Sequence, residues 1–282
     1  MNEIIQQEKL SDNVVSMRIK APLIAEECKA GQFIILSVDD DLSERIPLTI
    51  ADSDVYNGTI TIIFQIVGKT TLILSEFKVG DKIPNLVGPL GKPTEIKKYG
   101  RVVCVGGGIG VAPAYPIVKA MKKAGNNVTV IIGARTADLV VYEKEMANIS
   151  DRLIVCTDDG SYGRKDLVTS PLKEICEAGE ADFVIALGPP IMMKFCAETT
   201  RPYGIHTVAS LNTIMVDGTG MCGGCRVNVG KEVKFVCVDG PEFDAHKVDF
   251  DNMINRLNAY KKQEACAFKE CKLTRSYTEK DL

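Results

Sequence analysis

Between residues 101 and 211, short β-branched runs alternate with helical stretches, and no other feature of the sequence restricts the fold as strongly. The runs are RVVCVGGG, NVTVIIGAR, RLIVCTDD, DFVIALG and IHTVASL. Helical patterns fall between them at 111–124, 142–148, 170–178 and 191–199. A chain that alternates in this way builds a parallel sheet with right-handed crossovers.

Residues 1–97 follow a different rule. VVSMRIKA, QFIILSV, IPLTIAD, TITIIFQIV and DKIPNLVGPLG are short β-rich runs parted by Gly, Asp, Asn and Pro, at the spacing of a barrel or a sandwich. One helix is predicted at 70–77. After residue 211 comes a third piece, a loop rich in glycine and cysteine with two short strands. The expected divisions are 1–97, 98–211, 212–248 and a tail at 249–282, helical to about residue 263.

The length of 282 residues suits about two domains with buried cores. Hydrophobic residues make up 45% and charged residues 25%, the profile of a globular protein. The net charge is -3 and no long basic run occurs, which argues against nucleic acid as a partner. No stretch approaches the roughly 20 apolar residues of a membrane span. The N-terminus lacks the pattern of a signal peptide, so a cytoplasmic protein is expected. In that compartment the ten cysteines do not read as a disulfide framework. Cys28, Cys104, Cys156, Cys176 and Cys196 read as small buried hydrophobes.

GGGIGVAP, residues 106–113, follows a predicted strand and opens a helix. Gly107, Gly108 and Gly110 let the backbone approach a ligand, and a helix N-terminus offers free N–H groups to a phosphate. The spacing is not a Rossmann G-x-G-x-x-G, because Val111 or Pro113 stands where the third glycine would fall. Pro113 in the first helical turn is tolerated. Alone, the turn fits a plain strand-to-helix connection equally well. Upstream, ERIPLTIAD carries Arg45, Pro47 and Thr49, and IFQIVGKTT carries Gln65, Gly68, Thr70 and Thr71. These residues suit a phosphate or pyrophosphate, and each singly also suits a turn or a helix cap.

Cys222, Cys225 and Cys237 sit on the glycine-rich loop. A zinc knuckle or an iron–sulfur cluster usually takes four ligands, so the fourth is open. Cys266 and Cys271 form a C-x4-C pair, expected on one face of the helical tail and read as unligated or as partner contacts. His206 and His246 read as structural, with His246 near enough in sequence to support the cysteine loop.

Taken in order, R-x-P-x-T, the G-x-x-T helix start and GGGIGVAP resemble the ferredoxin–NADP reductase superfamily over residues 5–205. The resemblance implies an antiparallel FAD-binding β barrel at 1–97 and a parallel-sheet, NAD(P)-binding α/β domain at 98–211. It implies that Arg45 faces the FAD pyrophosphate, that Ile46, Pro47, Leu48 and Thr49 border the isoalloxazine, and that Ile63, Phe64, Gln65, Gly68, Thr70 and Thr71 complete the site. Gly107, Gly108, Gly110, Pro113, Arg135, Asp158, Gly188, Pro189, Pro190 and Met192 would serve the nicotinamide nucleotide. Two positions depart from the family pattern: Ile46 and Pro47 stand where many members carry an aromatic residue, and Leu187 where many carry Cys.

The cysteine loop narrows the likeness to iron–sulfur flavoproteins such as the electron-transfer subunit of dihydroorotate dehydrogenase. Their C-x4-C-x2-C spacing, with a further Cys about a dozen residues on, fits Cys222, Cys225 and Cys237 and puts Asp217 at the first ligand of a 2Fe–2S cluster. Zinc, or a fourth ligand from water, Cys266 or Cys271, remains the alternative. With RIPLTI, DGTGMCGGC, TDDGSYGRK and CVDGPEFDAHKVDFD, the chain is similar to the family of small subunits of NADH-dependent reduced ferredoxin:NADP oxidoreductases. That resemblance implies an oxidoreductase subunit passing electrons between NAD(H), FAD and the cluster to a larger flavin and iron–sulfur partner, with ferredoxin reached through the complex, in electron-bifurcating transhydrogenation. Arg135, Thr136 and Asp138 leave NADP(H) possible. Two other functions stay open. One is electron transfer for dihydroorotate oxidation, against which Asp217 in place of Cys weighs. The other is a non-catalytic nucleotide- or zinc-binding module.

Overall fold

The computed structural model describes residues 2–39 and 44–278, with side chains through 274. The ends of the expected 1–97 and 249–282 divisions, at residue 1 and at 279–282, lie outside the described residues. Six strands, β1 (Ile4–Ser11), β2 (Val14–Lys20), β3 (Phe33–Ser37), β4 (Ile46–Asp54), β5 (Thr59–Gln65) and β6 (Asn85–Leu90), form an antiparallel sheet in the order β1-β2-β5-β4-β3-β6. A short α1 (Pro22–Glu27) follows β2, and α2 (Lys69–Glu76) follows β5. Period-two alternation curls this sheet around one core. Val15, Met17 and Ile19 of β2 and Ile60, Ile62 and Phe64 of β5 point inward, while Arg18 points to solvent. Ile4 N–H reaches Asp81 O at 2.9 Å and Ile83 N–H reaches Asn2 O at 3.0 Å. These bonds draw the two edges together into a barrel that stops short of full closure.

The second sheet is built from β7 (Arg101–Gly107), β8 (Asn127–Ala134), β9 (Arg152–Thr157), β10 (Arg164–Lys165), β11 (Phe183–Leu187) and β12 (His206–Ser210). Its crossovers carry α3 (Val111–Lys123), α4 (Glu143–Ile149), α5 (Thr169–Glu177) and α6 (Pro190–Thr200). Both faces are covered, which is why the strands read as continuous apolar runs. Val102, Cys104 and Ile132 meet α3 on one face. Val103, Val105 and Ile131 meet α5 and α6 on the other.

The C-terminal piece holds the hairpin β13 (Arg226–Val229) and β14 (Glu232–Phe235), then α7 (Val236–Asp239), β15 (Glu242–Asp244), α8 (Phe250–Leu257) and α9 (Lys261–Thr278). β15 pairs antiparallel with β12 and becomes the seventh strand of the second sheet, in the order β10-β9-β8-β7-β11-β12-β15. The helical tail runs past residue 263, to Thr278. Its Cys266 and Cys271 do not share a face: five residues turn an α-helix well past the side it started on, and Cys266 is exposed while Cys271 is half-buried. No helix among the described residues is long and apolar enough to cross a membrane.

Candidate redox site

Leu187 pairs with Gly106, so the turns after β7 and β11 leave the carboxyl edge of the sheet side by side. From β7 the order runs to β8 on one side and to β11 on the other. This reversal is the position at which open α/β sheets bind ligands. The glycines there are required by close approach. A Cβ on Gly107 would lie 2.3 Å from Met192 Sδ, and one on Gly110 would lie 2.5 Å from Leu187 O. Gly108 is different: its φ is +54° and no atom lies within 4 Å of an added Cβ, so its backbone faces open space. Gly188 and Pro189 border the same crevice, a Cβ on Gly188 lying 3.0 Å from Gly107 O and one on Gly107 3.1 Å from Pro189 Cδ, while Pro113 and Pro190 stand in the first turns of α3 and α6. Arg135 and Asp158 stand exposed at the same edge, just past the ends of β8 and β9, where Asp158 N–H bonds Ala134 O at 3.0 Å.

On the barrel, pairing with β3 sorts the R-x-P-x-T stretch. Ile46 and Leu48 sit opposite Leu36 and Ile34 and pack against the barrel core. Pro47 and Thr49 sit opposite Ile35 and Phe33, whose side chains face outward toward the C-terminal piece. Arg45 is exposed beside them. Ile63 packs on α3, and Phe64, 2% exposed, lies inside the barrel. Neither side chain is aimed at a surface site, although Gln65 is only half-buried. Thr71 Oγ1 accepts the N–H groups of Gly68 and Val67 at 3.0 and 3.1 Å, and so starts α2. Thr70 Oγ1 donates to Glu44 Oε2 at 2.7 Å. A cavity of about 610 Å³ opens at this helix start.

On the glycine–cysteine loop, Asp217 accepts N–H groups from Thr219 at 3.0 Å and from Cys222 at 2.6 Å. Those backbone bonds hold its carboxyl below the usual carboxylate range. Cys225 and Cys237 are each 1% exposed, with their sulfurs 3.2 Å apart. Burial, then the Cys225 contact, pushes the Cys237 thiol up to about 12. Two backbone N–H groups point at sulfur: Gly224 at Cys222 and Cys237 at Cys225, both at 3.4 Å. Among the described residues no three His, Cys, Asp or Glu side chains converge as for a single ion. The four residues fall instead into two pairs, Asp217 with Cys222 and Cys225 with Cys237. Two pairs could hold a two-iron cluster, whose four ligands divide between two metals.

The segment from Leu211 to Gly218 ties these places together, and the sequence reading missed its role. Asn212 Nδ2 lies 3.5 Å from Gly188 O at the crevice. At the other end, a Cβ on Gly218 would lie 2.7 Å from Ile35 Cδ1, on the outward face of the barrel. Glu242 of β15 was also missed, being one of four acids in PEFDAHKVDFD without a distinguishing context. It accepts from Thr94 Oγ1 at 2.5 Å, and burial pushes its carboxyl up to about 7. His246 does not support the cysteine loop: its Nε2 meets Thr200 Oγ1 of α6 at 2.9 Å. Cys266 donates to Glu270 at 3.4 Å on its own helix.

Residues 212–249 match the family described as the iron–sulfur cluster binding domain of dihydroorotate dehydrogenase B, and residues 104–198 match the oxidoreductase NAD-binding domain. The chain is 47% identical over 268 residues to a Thermotoga maritima homologue of the dihydroorotate dehydrogenase B electron-transfer subunit, covering 95% of this chain and 94% of the relative. It is 32% identical to the electron-transfer subunit of Streptococcus mutans, covering 88% and 97%. It superimposes, with a TM-score of 0.90 and 46% identity over 96% of this chain and 97% of the other, on a chain of the NADH-dependent reduced ferredoxin–NADP oxidoreductase structure, a study of flavin-based electron bifurcation. This chain therefore belongs to the family of dihydroorotate dehydrogenase B electron-transfer subunits and their homologues.

Proposed function

We propose that the chain is the iron–sulfur flavoprotein subunit of an NADH-linked ferredoxin:NADP oxidoreductase, working in the cytoplasm with a larger flavin and iron–sulfur subunit. One observation carries the reading. The segment from Asn212 to Gly218 begins at the glycine crevice, ends on the outward barrel face with Pro47 and Thr49, and leads into the cysteine loop. Three candidate cofactor positions thus adjoin one short stretch of chain.

The residues fit the groups. Gly108 offers open backbone to a nicotinamide nucleotide, and Met192 with Pro189 closes the crevice behind Gly107. Arg45 and the N–H groups at the start of α2 suit a pyrophosphate. Thr71 acts by holding that helix start rather than by spending its hydroxyl on the ligand. Asp217, Cys222, Cys225 and Cys237 would hold 2Fe–2S. A flavin and such a cluster, when bound, convert between paired and single electrons. The chain positions them, keeps the buried Cys225 and Cys237 side from water, and directs two N–H groups at sulfur, a contact that tunes cluster potential. NADH is favoured over NADPH here by the likeness to the bifurcating enzyme alone.

The relatives named as dihydroorotate dehydrogenase subunits support a second reading, a partner that oxidises dihydroorotate. Identity does not separate the two readings, at 46% to the bifurcating enzyme and 47% to the Thermotoga homologue of the dihydroorotate dehydrogenase subunit; Asp217, where that subunit's spacing calls for Cys, favours the first.

The test is a visible and EPR spectrum of anaerobically purified protein, with flavin, iron and sulfide assays. One FAD, two irons and two sulfides per chain are expected. A colourless chain holding zinc after anaerobic reconstitution would leave only the binding-module reading. Affinity capture of the larger subunit, and its cofactor content, then separates the two electron-transfer readings.

A further inference from the structure

We propose that Gln263 and Glu264, on the C-terminal helix α9, form the outer wall of the flavin site and hold the ribose of its adenosine half. The inference rests on the flavin reading above. The cavity of about 610 Å³ at the start of α2 has two walls: Gly68 to Thr71 with Glu44 on one side, and Gln263, Glu264 and Ala267 of α9 on the other. The geometry follows from the helix. Ala267, Phe268 and Cys271 are the half-buried residues of α9 among its described side chains. Gln263 and Glu264 stand one turn earlier on the same side, which directs them to the cavity.

The chemistry of the walls selects the ligand portion. The α2 start, with Arg45 nearby, suits the pyrophosphate. Among the described residues that line the cavity none belongs to the glycine turn, so the ring system that must meet a nicotinamide lies elsewhere. What remains for the cavity is adenosine. A carboxylate accepts from both hydroxyls of a ribose diol, and Gln263 adds an amide. Glu44 and Glu264 both line the cavity, Glu44 tied to Thr70 at 2.7 Å, and an acid beside the diol disfavours a phosphate carried on the ribose hydroxyls.

Coupling follows as well. α9 docks through few apolar side chains, so a ligand that touches both walls holds the helix in place by mass action.

The experiment measures FAD and FMN affinity of the flavin-stripped full chain by fluorescence. FMN lacks the adenosine. The double variant Gln263→Ala, Glu264→Ala is expected to weaken FAD about tenfold or more, the scale of lost hydrogen bonds to a charged group, and to leave FMN and iron content unchanged. Unchanged FAD affinity, or equal loss for FAD and FMN, overturns the proposal. Arg45→Ala serves as the separate control. If it weakens FAD while the double variant does not, only the α9 inference fails. If FAD binding ignores Arg45→Ala too, the flavin reading of this cavity fails with it. Hydrogen exchange at 261–274 should slow when FAD is added.

Discussion

Asp217 accepts the backbone N–H of Cys222 at 2.6 Å, so the one carboxylate among the four candidate cluster ligands also shapes the loop that carries them. A hydrogen-bond acceptor suffices to shape the loop. Ligation needs a donor strong enough for iron, which the charged carboxylate is and a neutral side-chain amide is not.

Variants at Asp217 separate those two roles. Asp217→Asn keeps one acceptor oxygen and removes the charge, and is expected to lose iron. Asp217→Cys restores a thiolate and is expected to keep two irons with a shifted EPR spectrum. Full iron and an unchanged spectrum in Asp217→Asn would reduce Asp217 to a loop former.

Two glycines of the turn should respond differently to alanine. At Gly110 the new methyl would meet the Leu187 carbonyl, which cannot move cheaply. A stability loss of about 3 kcal/mol is expected, the upper end for overpacking. At Gly108 the space is open and only the +54° φ resists. That costs about 1 kcal/mol, and the methyl stands where a nucleotide must approach. Melting curves with NADH titrations distinguish them: Gly108→Ala should fold well and bind NADH poorly.

Glu242 makes stability depend on pH. Its carboxyl is pushed from 4.5 to about 7 in the folded chain, by burial. Below pH 4.5 it is neutral in both states and its burial carries no ionic penalty. Between there and pH 7 the unfolded chain ionises first, and stability falls; above pH 7 the loss is complete. The loss is about 2 kcal/mol after allowance for partial solvent contact. Glu242→Gln should remove it. Urea midpoints at pH 5 and pH 8 should show the variant gaining on the wild type as pH rises, and a constant difference would refute the assignment.

Phe64 tests the sorting of β5. Its ring lies in the barrel core, away from any surface site. Phe64→Leu is expected to cost about 1 kcal/mol of stability and to leave FAD affinity unchanged. A selective loss of FAD would put the ring back in the site.

The parts of the fold that were legible are those whose local pattern and final environment agree. The inward set Val15, Met17 and Ile19 and the all-apolar β11 announce their sheets. β1 was not seen, because IIQQEKLS is an edge strand with a polar middle. β15 is three half-buried residues whose pairing with β12 is wholly non-local. The end of α9 was lost because its sequence carries no continuous apolar stripe. At the candidate site, the glycine turn stands out in the sequence since close approach demands glycine. The directions of the Ile63 and Phe64 side chains do not stand out, because neighbours on a strand face opposite ways and only the register decides which faces what. Asn212 and Glu242 owe their places to segments that meet only in the folded chain.

The pairing of β15 with β12 has a mechanical consequence. The stretch just beyond Cys237 is woven into the nucleotide-binding sheet by strand pairing, while it meets the barrel side through side-chain packing, with Phe33 and Ile35 in one apolar cluster with Val236 and Cys237, and through Lys92 N–H on Gly240 O and Thr94 on Glu242. If the two large bodies rock against each other, the cysteine loop travels with the sheet as cargo. The span between loop and crevice then moves as one piece with the sheet, and the packed seam with the barrel is the surface along which such a motion has to slip.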